Sequence, residues 1–437
     1  MEYIPNILFA AILVLGIGYF TRNIKKLIRN IKLGKAVDAS DHKGERWRNM
    51  ARIALGQSKM VKRPIAGIMH IVVYIGFIII NIEVLEIIID GIFGTHRIGL
   101  SVLPESVYGF LIGSFEILAV LVLAAVVVFW LRRNVIKLKR FLSAEMKGWP
   151  KNDGNIILYF EVVLMCLFLV MNATDTTFQN LGHGNVISQF IAPWFGDNPD
   201  TLHTIERTAW WLHIVGILIF LNYLYFSKHL HILLAFPNTY FGSVEPKGKF
   251  NNLEAVTNEV KLMMDPNADP FAAAPEGAED EEPAKFGASD VMDLNQIQLL
   301  NAYTCTECGR CTSACPANLT GKKLSPRKIM MDTRDRLEEV GKNIDANGGE
   351  FKDDGKQLLG DYITHEELWA CTTCNACVEE CPVSINPLSI ILDMRRYLVM
   401  EQSAAPMELN NMMTNIENNG APWPYNQMDR LNWANEE

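Results

Sequence analysis

The long apolar runs of this chain lie almost entirely in its first half. Five of them are long enough, at 1.5 Å per residue, to cross about 30 Å of hydrocarbon. They cover Ile4–Phe20, Ile65–Ile89, Val107–Leu131, Ile156–Thr174 and Thr208–Phe226. The first run has no basic segment before it and no small-residue cleavage site, which favours a retained helix over a signal peptide. The pattern predicts a mainly α protein that begins with a five-helix transmembrane bundle.

Basic residues are distributed unevenly over the connecting loops. Residues 21–64 hold 13 Lys or Arg and residues 132–154 hold seven, whereas 90–106 hold only Arg97 and 176–206 hold none. The positive-inside rule then places the N-terminus outside and the basic loops in the cytoplasm. The alternative, buried core helices of a soluble protein, would make this asymmetry a coincidence. We expect a multi-pass protein of the cell inner membrane whose second half is cytoplasmic.

The second half of the chain divides by composition into three parts. After a transmembrane domain over 1–240, we predict an acidic linker rich in Pro and Ala over 241–292, a folded cysteine-containing domain over 293–401 and a polar tail over 402–437. The net charge of -9 and the lack of a basic stripe with interleaved aromatic residues exclude a nucleic-acid binder. No glycine-rich nucleotide fingerprint, P-loop or nucleophile elbow is present, so bond-making chemistry is expected on a partner.

Two runs of four cysteines follow the spacing C-x2-C-x2-C-x3-C and end in proline, as CTECGRCTSACP and CTTCNACVEECP. Soft thiolates at this spacing are typical of [4Fe–4S] clusters, and the fourth cysteine of each run ligates the other cluster. A pair of zinc sites is the alternative, but the third close cysteine and the C-P ending fit zinc poorly. The predicted ligands are Cys305, Cys308, Cys311 and Cys381 for cluster 1, and Cys371, Cys374, Cys377 and Cys315 for cluster 2.

The residues between the two runs have helical composition and spacing, which predicts an alpha-helical ferredoxin domain. The phrases CTECGRCTSACPA, LSPRKIMMD and LWACTTCNACVEECPV resemble the iron–sulfur parts of heterodisulfide reductase-related proteins. In that family a cysteine-rich module with CCG repeats follows the ferredoxin part, and here the sequence stops at Glu437. The resemblance therefore implies a separately encoded CCG-type subunit that docks on the ferredoxin domain and the tail. A flavoprotein is a further class of partner that it implies.

Three histidines of the membrane half are candidate haem ligands. His70 lies near the cytoplasmic end of the second apolar run, and we place His213 and His231 on the fifth, 18 residues apart and on one helix face. Facing imidazoles ligate a b-type haem from both sides. His70 and His231 lie at one level and form the predicted pair. Structural histidines at the membrane interface are the alternative interpretation.

The five-run region resembles the gamma subunit of respiratory nitrate reductase and the cytochrome b subunit of heterodisulfide reductase, on the histidine placement and the SKHLH…P ending. It departs from the nitrate reductase pattern, because Ile80 stands where that pattern has a second histidine. His213 therefore has no evident partner, and the number of haems, one or two, stays open. His229 is expected to bind headgroups or the linker.

Together these features predict an electron-transfer subunit that connects menaquinone or ubiquinone, through haem b and two [4Fe–4S] clusters, to a cytoplasmic oxidoreductase. The alternatives are a redox-sensing or structural membrane anchor for an iron–sulfur complex, and a redox-driven transporter component. Glu83 and Glu86, near the outer end of the second run, either cap the membrane interface or take protons from a quinol. The direction of electron flow is not determined by the sequence.

Overall fold

A computed structural model describes residues 3–246, 248–267 and 285–435. In these ranges the chain is helical and forms no β-strand beyond two isolated bridges. Part of the predicted linker, 268–284, lies outside the described residues. The helices of the first half are α1 (Ile4–Ile31), α2 (Lys43–Met50), α3 (Pro64–Phe93), α4 (Ile98–Val102), α5 (Glu105–Asn134), α6 (Trp149–Thr174), α7 (Thr176–Asn180), α8 (Ser188–Ile191), α9 (Pro199–Tyr223) and α10 (His231–Tyr240).

Five of these helices, α1, α3, α5, α6 and α9, are apolar and long enough to span a membrane, as the sequence predicted. Each packs against two of the others, α1 on α3 and α9, α3 on α5, α5 on α6 and α6 on α9, so that they form a closed ring. The inner faces bury Ile112, Phe115 and Phe168. The outer faces expose large apolar side chains such as Leu15 and Leu85. This inside-out distribution is expected of helices that lipid surrounds.

The fifth span ends at Phe226, as the sequence predicted, but its helix does not continue to His231. Helix α9 stops at Tyr223 and a 3-10 turn at Phe226, and Ser227 then has an extended backbone, with φ -119° and ψ 146°. The prediction that His213 and His231 share one face of a continuous helix is therefore wrong. The break is held by the buried carboxylate of Asp153, which accepts hydrogen bonds from the Tyr223 hydroxyl at 2.6 Å and the Ser227 hydroxyl at 2.7 Å.

The second half forms the predicted helical iron–sulfur domain. Its helices are α11 (Glu254–Met264), α12 (Gln296–Thr304), α13 (Arg310–Ala314), α14 (Pro316–Leu319), α15 (Pro326–Ala346), α16 (His365–Trp369), α17 (Ala376–Glu380), α18 (Pro387–Arg396) and α19 (Met407–Asn419). Short π-helical turns cover Ala51–Leu55 and Tyr397–Glu401. Ala288 and Val291, which the sequence assigned to the linker, are fully buried. The Ala288 amide also donates to the Asp393 carbonyl.

This domain rests on one end of the ring, the end that carries the basic loops. Lys62 and Arg63, before α3, pair with Glu379 and Glu380 at 2.7 and 3.2 Å. Contacts at the other span ends are of the same kind, since α1, the loop before α6 and the turn after α9 each present charged or amide groups to the domain. The positive charge that the sequence shows in these loops therefore meets carboxylates of the iron–sulfur domain as well as any lipid headgroups.

Candidate redox site

The two cysteine runs follow the same backbone path. The residue before the second cysteine, Glu307 in one run and Thr373 in the other, has a φ of 54° and 55°. The residue after that cysteine, Gly309 or Asn375, has a φ of 70° and 59°. Glycine and asparagine tolerate this left-handed region better than other residues. Matching left-handed positions give both runs the same tight loop.

A small cavity of about 20 Å³ lies between the runs. Thiols of the first run and of Cys381 line it, together with Cys377 and the apolar side chains of Met330 and Ile385. The fold thus brings the last cysteine of the second run to the first three cysteines of the first run. The predicted cluster 1 ligands that share this cavity are Cys305, Cys308, Cys311 and Cys381.

The predicted ligands of cluster 2 also lie together. Cys315, from the first run, is close enough to Cys371 and Cys377 for their charges to interact. Cys315 and Cys377 are buried, whereas Cys374 is exposed. The second set is therefore the one that reaches the surface of the domain, and the ligand assignment of both clusters stays a prediction.

The thiols are held in a water-poor environment. Burial raises the pKa of Cys305 and of Cys377 to about 12, and that of Cys381 to about 11. The thiolate is the form that binds metal, so iron binding has to displace these protons. The Ile385 amide donates to Cys381 Sγ at 3.3 Å, and hydrogen bonds of this kind help to set a cluster's reduction potential.

The imidazoles of His70 and His231 face each other at the end of the five-helix bundle that lies beneath the iron–sulfur domain. Their centroids are 6.3 Å apart. Two imidazoles on opposite sides of one iron, with metal–nitrogen bonds of about 2 Å, have ring centres roughly 6 Å apart. His231 Nδ1 lies 3.1 Å from the Lys228 carbonyl, which leaves Nε2 for a metal. His70 Nδ1 is buried without a hydrogen-bond partner. These residues fit a haem b.

No second histidine faces His213 in the described part of the chain. Its ring, 2% exposed, lies 6.3 Å from that of Phe168, and its Nδ1 has no partner. Two histidines in the loops at the far end of the bundle have other contacts. His96 contacts Asp175, and His183 contacts the Leu181 carbonyl. A second haem held by two histidines at this level is therefore not supported by the fold.

A buried ion pair joins the first cysteine run to the segment of His231. The Lys228 ammonium binds the Glu307 carboxylate, and the two side chains are 8% and 3% exposed. Arg334 Nη1 donates to the other oxygen of Glu307 at 2.8 Å. Burial alone would raise the pKa of Glu307, but Lys228 and Arg334 outweigh it and hold that pKa below its usual value. Because the Lys228 carbonyl also accepts from His231, one residue contacts both candidate centres.

Two arginines make further contacts between the cysteine runs and the membrane domain. Arg310, between Cys308 and Cys311, donates to the Lys59 carbonyl at 3.1 Å. Arg327, fully buried, pairs with Glu145 at 2.7 Å. Sequence reasoning missed these groups and the Lys228–Glu307 pair. The one available signal was a charged residue inside a C-x2-C loop, as Glu307 and Arg310 are. Their partners lie far away in the sequence, so no local pattern indicates these contacts.

Comparisons with known proteins agree with the cysteine geometry. The family of 4Fe-4S dicluster domains matches residues 304–385. The chain is 30% identical, over 98% of its length, to the probable iron–sulfur-binding oxidoreductase FadF of Bacillus subtilis, and covers 61% of that protein. It is 27% identical, over 88% of its length, to the EtfAB:quinone oxidoreductase of Syntrophomonas wolfei, of which it covers 53%. The chain thus spans little more than half the length of these two relatives.

Shorter matches concern the iron–sulfur part of the chain. A probable membrane-anchored ferredoxin of Chromohalobacter salexigens is 33% identical over 36% of this chain, which covers 25% of that protein. Heterodisulfide reductase subunits also match. No solved structure matches the chain. The relatives are iron–sulfur oxidoreductases and subunits of such enzymes, so the chain carries a 4Fe–4S dicluster domain joined to five apolar helices of a membrane protein.

Proposed function

We propose that this protein carries electrons between a membrane quinone and a soluble oxidoreductase, through a haem b and two [4Fe–4S] clusters. The observation that carries the proposal is the Lys228–Glu307 pair, which links the cluster 1 loop to the segment of His231. The facing ring of His70 supports a haem at this level. When bound, the haem supplies a one-electron centre inside the membrane.

The chain's own residues would hold the centres in a fixed order. His70 and His231 would hold the haem, and the Lys228–Glu307 pair joins the His231 segment to the first cysteine run. The exposure of Cys374 supports a position of cluster 2 at the surface, where a partner would have access. We propose the cytoplasmic side for this surface, from the basic loops that lie beneath the domain.

The proposed partners follow from the relatives and from the tail. The name of the Syntrophomonas wolfei relative couples EtfAB to a quinone, which supports a quinone on the membrane side and a flavoprotein as soluble partner. A CCG-type cysteine-rich subunit stays a second proposed partner. Helix α19 in the tail exposes Met407, Met412 and Ile416, so we propose residues 402–437 as the docking segment.

The test is a spectroscopic inventory of the purified protein in detergent. Iron, sulfide and haem are counted per chain, and the dithionite-reduced protein is mixed with a menaquinone analogue. We expect eight iron atoms in clusters, b-type haem bands and their reoxidation by the quinone. His70→Ala and His231→Ala should each lose the haem bands and keep the cluster signals, whereas His203→Ala, in the exposed outer part of α9, should keep both.

Clusters without haem in the wild-type protein would contradict the relay and would favour a structural anchor. Haem bands that survive both histidine substitutions would contradict the ligand assignment. Zinc in place of iron would overturn the proposal as a whole.

A further inference from the structure

Glu83 on α3 is a buried carboxylate, 3% exposed, whose Oε2 has no hydrogen-bond partner. Among the described residues it is the one carboxylate with a fully buried, unpartnered oxygen. Glu83 lies 19 residues beyond Pro64, so it is roughly 28 Å along the axis from the end of α3 beneath the iron–sulfur domain. Burial excludes the role of an interfacial cap, and an ionisable group at this depth is usually functional.

A neighbouring carboxylate shows what a structural acid in this bundle looks like. Glu116 on α5 is 0% exposed and accepts from the amides of Ile187 and Ser188, at 2.7 and 3.0 Å, and from Asn172 Nδ2 at 3.2 Å. These donors hold Glu116 in place and join α5 to the loop before α8. Glu83 lies in the same buried region without such donors, so fold stability does not account for it.

A second carboxyl continues from Glu83 toward the far end of the bundle. Glu86 is one turn further along α3, on the same face and half-buried. It accepts from the Gly99 amide at 2.9 Å and from the Tyr108 hydroxyl at 3.1 Å. Arg97 Nη1 in turn donates to that hydroxyl at 3.1 Å. The two carboxyl groups therefore lie one after the other along α3, from the buried interior toward the loops opposite the iron–sulfur domain.

The surface end of this region is also built from titratable groups. Arg97 Nε donates to Asp175 at 2.5 Å, and His96, with 41% of its side chain exposed, lies 3.2 Å from the same carboxylate. The charged groups that face Glu83 are Arg97, Glu86 and Glu116. One cation among several carboxyls leaves the region able to hold an extra proton without burying net positive charge.

We propose that Glu83 is the group that exchanges protons with the quinone, and that Glu86 passes them to the aqueous phase on the side opposite the iron–sulfur domain. The inference rests on the proposed function. When a hydroquinone is oxidised, its two O–H bonds break, and its two electrons pass singly to the relay. Each proton goes to the Glu83 carboxylate, then to Glu86, then to water, before the next is accepted. Quinone reduction runs through the same groups in reverse.

The experiment compares Glu83→Gln with Glu83→Asp and Glu86→Gln in the complete, cofactor-loaded protein. The matched control is Glu105→Gln, an exposed carboxylate at the same end of the bundle. The quinone-linked reoxidation rate and its solvent isotope effect are measured, together with the carboxyl C=O band in the infrared difference spectrum of reduced minus oxidised protein. A positioned acid–base group contributes about 10²–10⁴-fold to a rate.

We expect Glu83→Gln to keep the cofactor spectra, to lose at least tenfold in quinone-linked rate and to lose the carboxyl band. Glu83→Asp should recover part of the rate, and Glu105→Gln should match the wild type. A wild-type rate and isotope effect in Glu83→Gln would overturn the inference and leave the proposed function intact. If Glu83→Gln fails to assemble, a wild-type rate in Glu86→Gln overturns it in the same way. Wild-type centres that no quinone reoxidises would overturn the proposed function itself.

Discussion

Lys228 and Glu307 form a buried ion pair between the two halves of the chain. Both are nearly inaccessible to solvent, so their pairing is not screened as a surface salt bridge is. Breaking a buried pair by removing one partner costs about 3–5 kcal/mol, because the other charge is left uncompensated. The pair therefore helps to hold the first cysteine run against the His231 segment.

At the residue scale, we predict that Glu307→Gln raises the reduction potential of cluster 1. The substitution removes a negative charge beside an anionic cluster and leaves the positive charge of Lys228. At an effective dielectric constant near 20, a unit charge roughly 8–16 Å from a cluster contributes about 1–2 kcal/mol. This corresponds to roughly 40–90 mV for one electron. A redox titration followed by electron paramagnetic resonance measures the shift. Glu366→Gln, at an exposed pair with Lys323, is the control, and an unchanged potential would contradict the prediction.

At the element scale, the break between α9 and α10 decides where His231 lies. Asp153 on α6 accepts from the Tyr223 and Ser227 hydroxyls and from the Lys228 amide at 3.2 Å. Three donors on one buried carboxylate explain why the chain leaves the helix here. The turn carries the imidazole of His231 toward His70 on α3.

We predict that Asp153→Ala loses haem while the iron–sulfur signals persist. Without its acceptor the turn loses three hydrogen bonds to a charged group, each worth about 1.5–3 kcal/mol, and His231 is no longer held opposite His70. Haem per cluster iron, measured by pyridine haemochrome and sulfide assays, checks this. Asp197→Ala, in an exposed loop, should keep the wild-type ratio. Full haem content in Asp153→Ala would count against the assignment of His231.

Helix α15 meets α1 at a glycine. A Cβ on Gly341 would lie 2.5 Å from the side chain of Asn30, which is 2% exposed and donates to the Tyr303 hydroxyl at 2.9 Å. The absence of a side chain therefore lets the two helices approach each other. The contact joins the first membrane span to the longest helix of the iron–sulfur domain.

We predict that Gly341→Ala weakens this contact by about 1–3 kcal/mol, the usual cost of overpacking. Gly44→Ala is the matched control, since Gly44 is also helical and a Cβ there meets nothing within 4 Å. Limited proteolysis and hydrogen exchange at the end of α1 report the loosening. Equal protection in the two variants would show that the interface adjusts without cost.

On the scale of the whole molecule, carboxylates of one domain meet cations of the other. Lys26 and Arg29 donate hydrogen bonds that hold the pKa of Asp345 below 3.8. Burial opposes ionisation of Glu145, but hydrogen bonds from Arg327 and Ser325 outweigh it and lower its pKa below 4.5. Together with Glu307, these groups join the two domains across their whole interface.

We predict that the interface is stable to pH near 5 and loosens on further acidification. A carboxylate with a lowered folded pKa stabilises the folded state above its unfolded pKa, and this contribution is lost as the pH falls through the folded value. Here the loss begins below about 4.5 for the glutamates and below about 3.8 for Asp345. Hydrogen exchange of α1 and α15 between pH 7 and pH 4 measures it, with the visible spectrum as control for cluster loss. Loosening between pH 7 and pH 5.5 would contradict this view.

Local patterns were enough to predict five spans, a helical second half and eight cysteines in two matched runs. Hydrophobicity, charge and cysteine spacing all act within a few residues, so each can be read along the chain. The prediction of one continuous helix through His213 and His231 is wrong because the signal for that helix was local, whereas Asp153, which ends the helix, lies on another span. The pairing of His70 with His231 was predicted because both residues were placed at the same depth in the membrane. The distance and angle between the two imidazoles were not predicted.

The sequence by itself thus determined that the chain is a membrane protein with a dicluster iron–sulfur domain, because burial in lipid and thiolate ligation impose their own spacing. Only the tertiary structure decided that the helix ends before His231, that Lys228 meets Glu307 and that Glu83 is buried with an oxygen that has no hydrogen-bond partner. Each of these depends on groups far apart in the chain that packing brings within a few ångströms. No periodicity records such contacts.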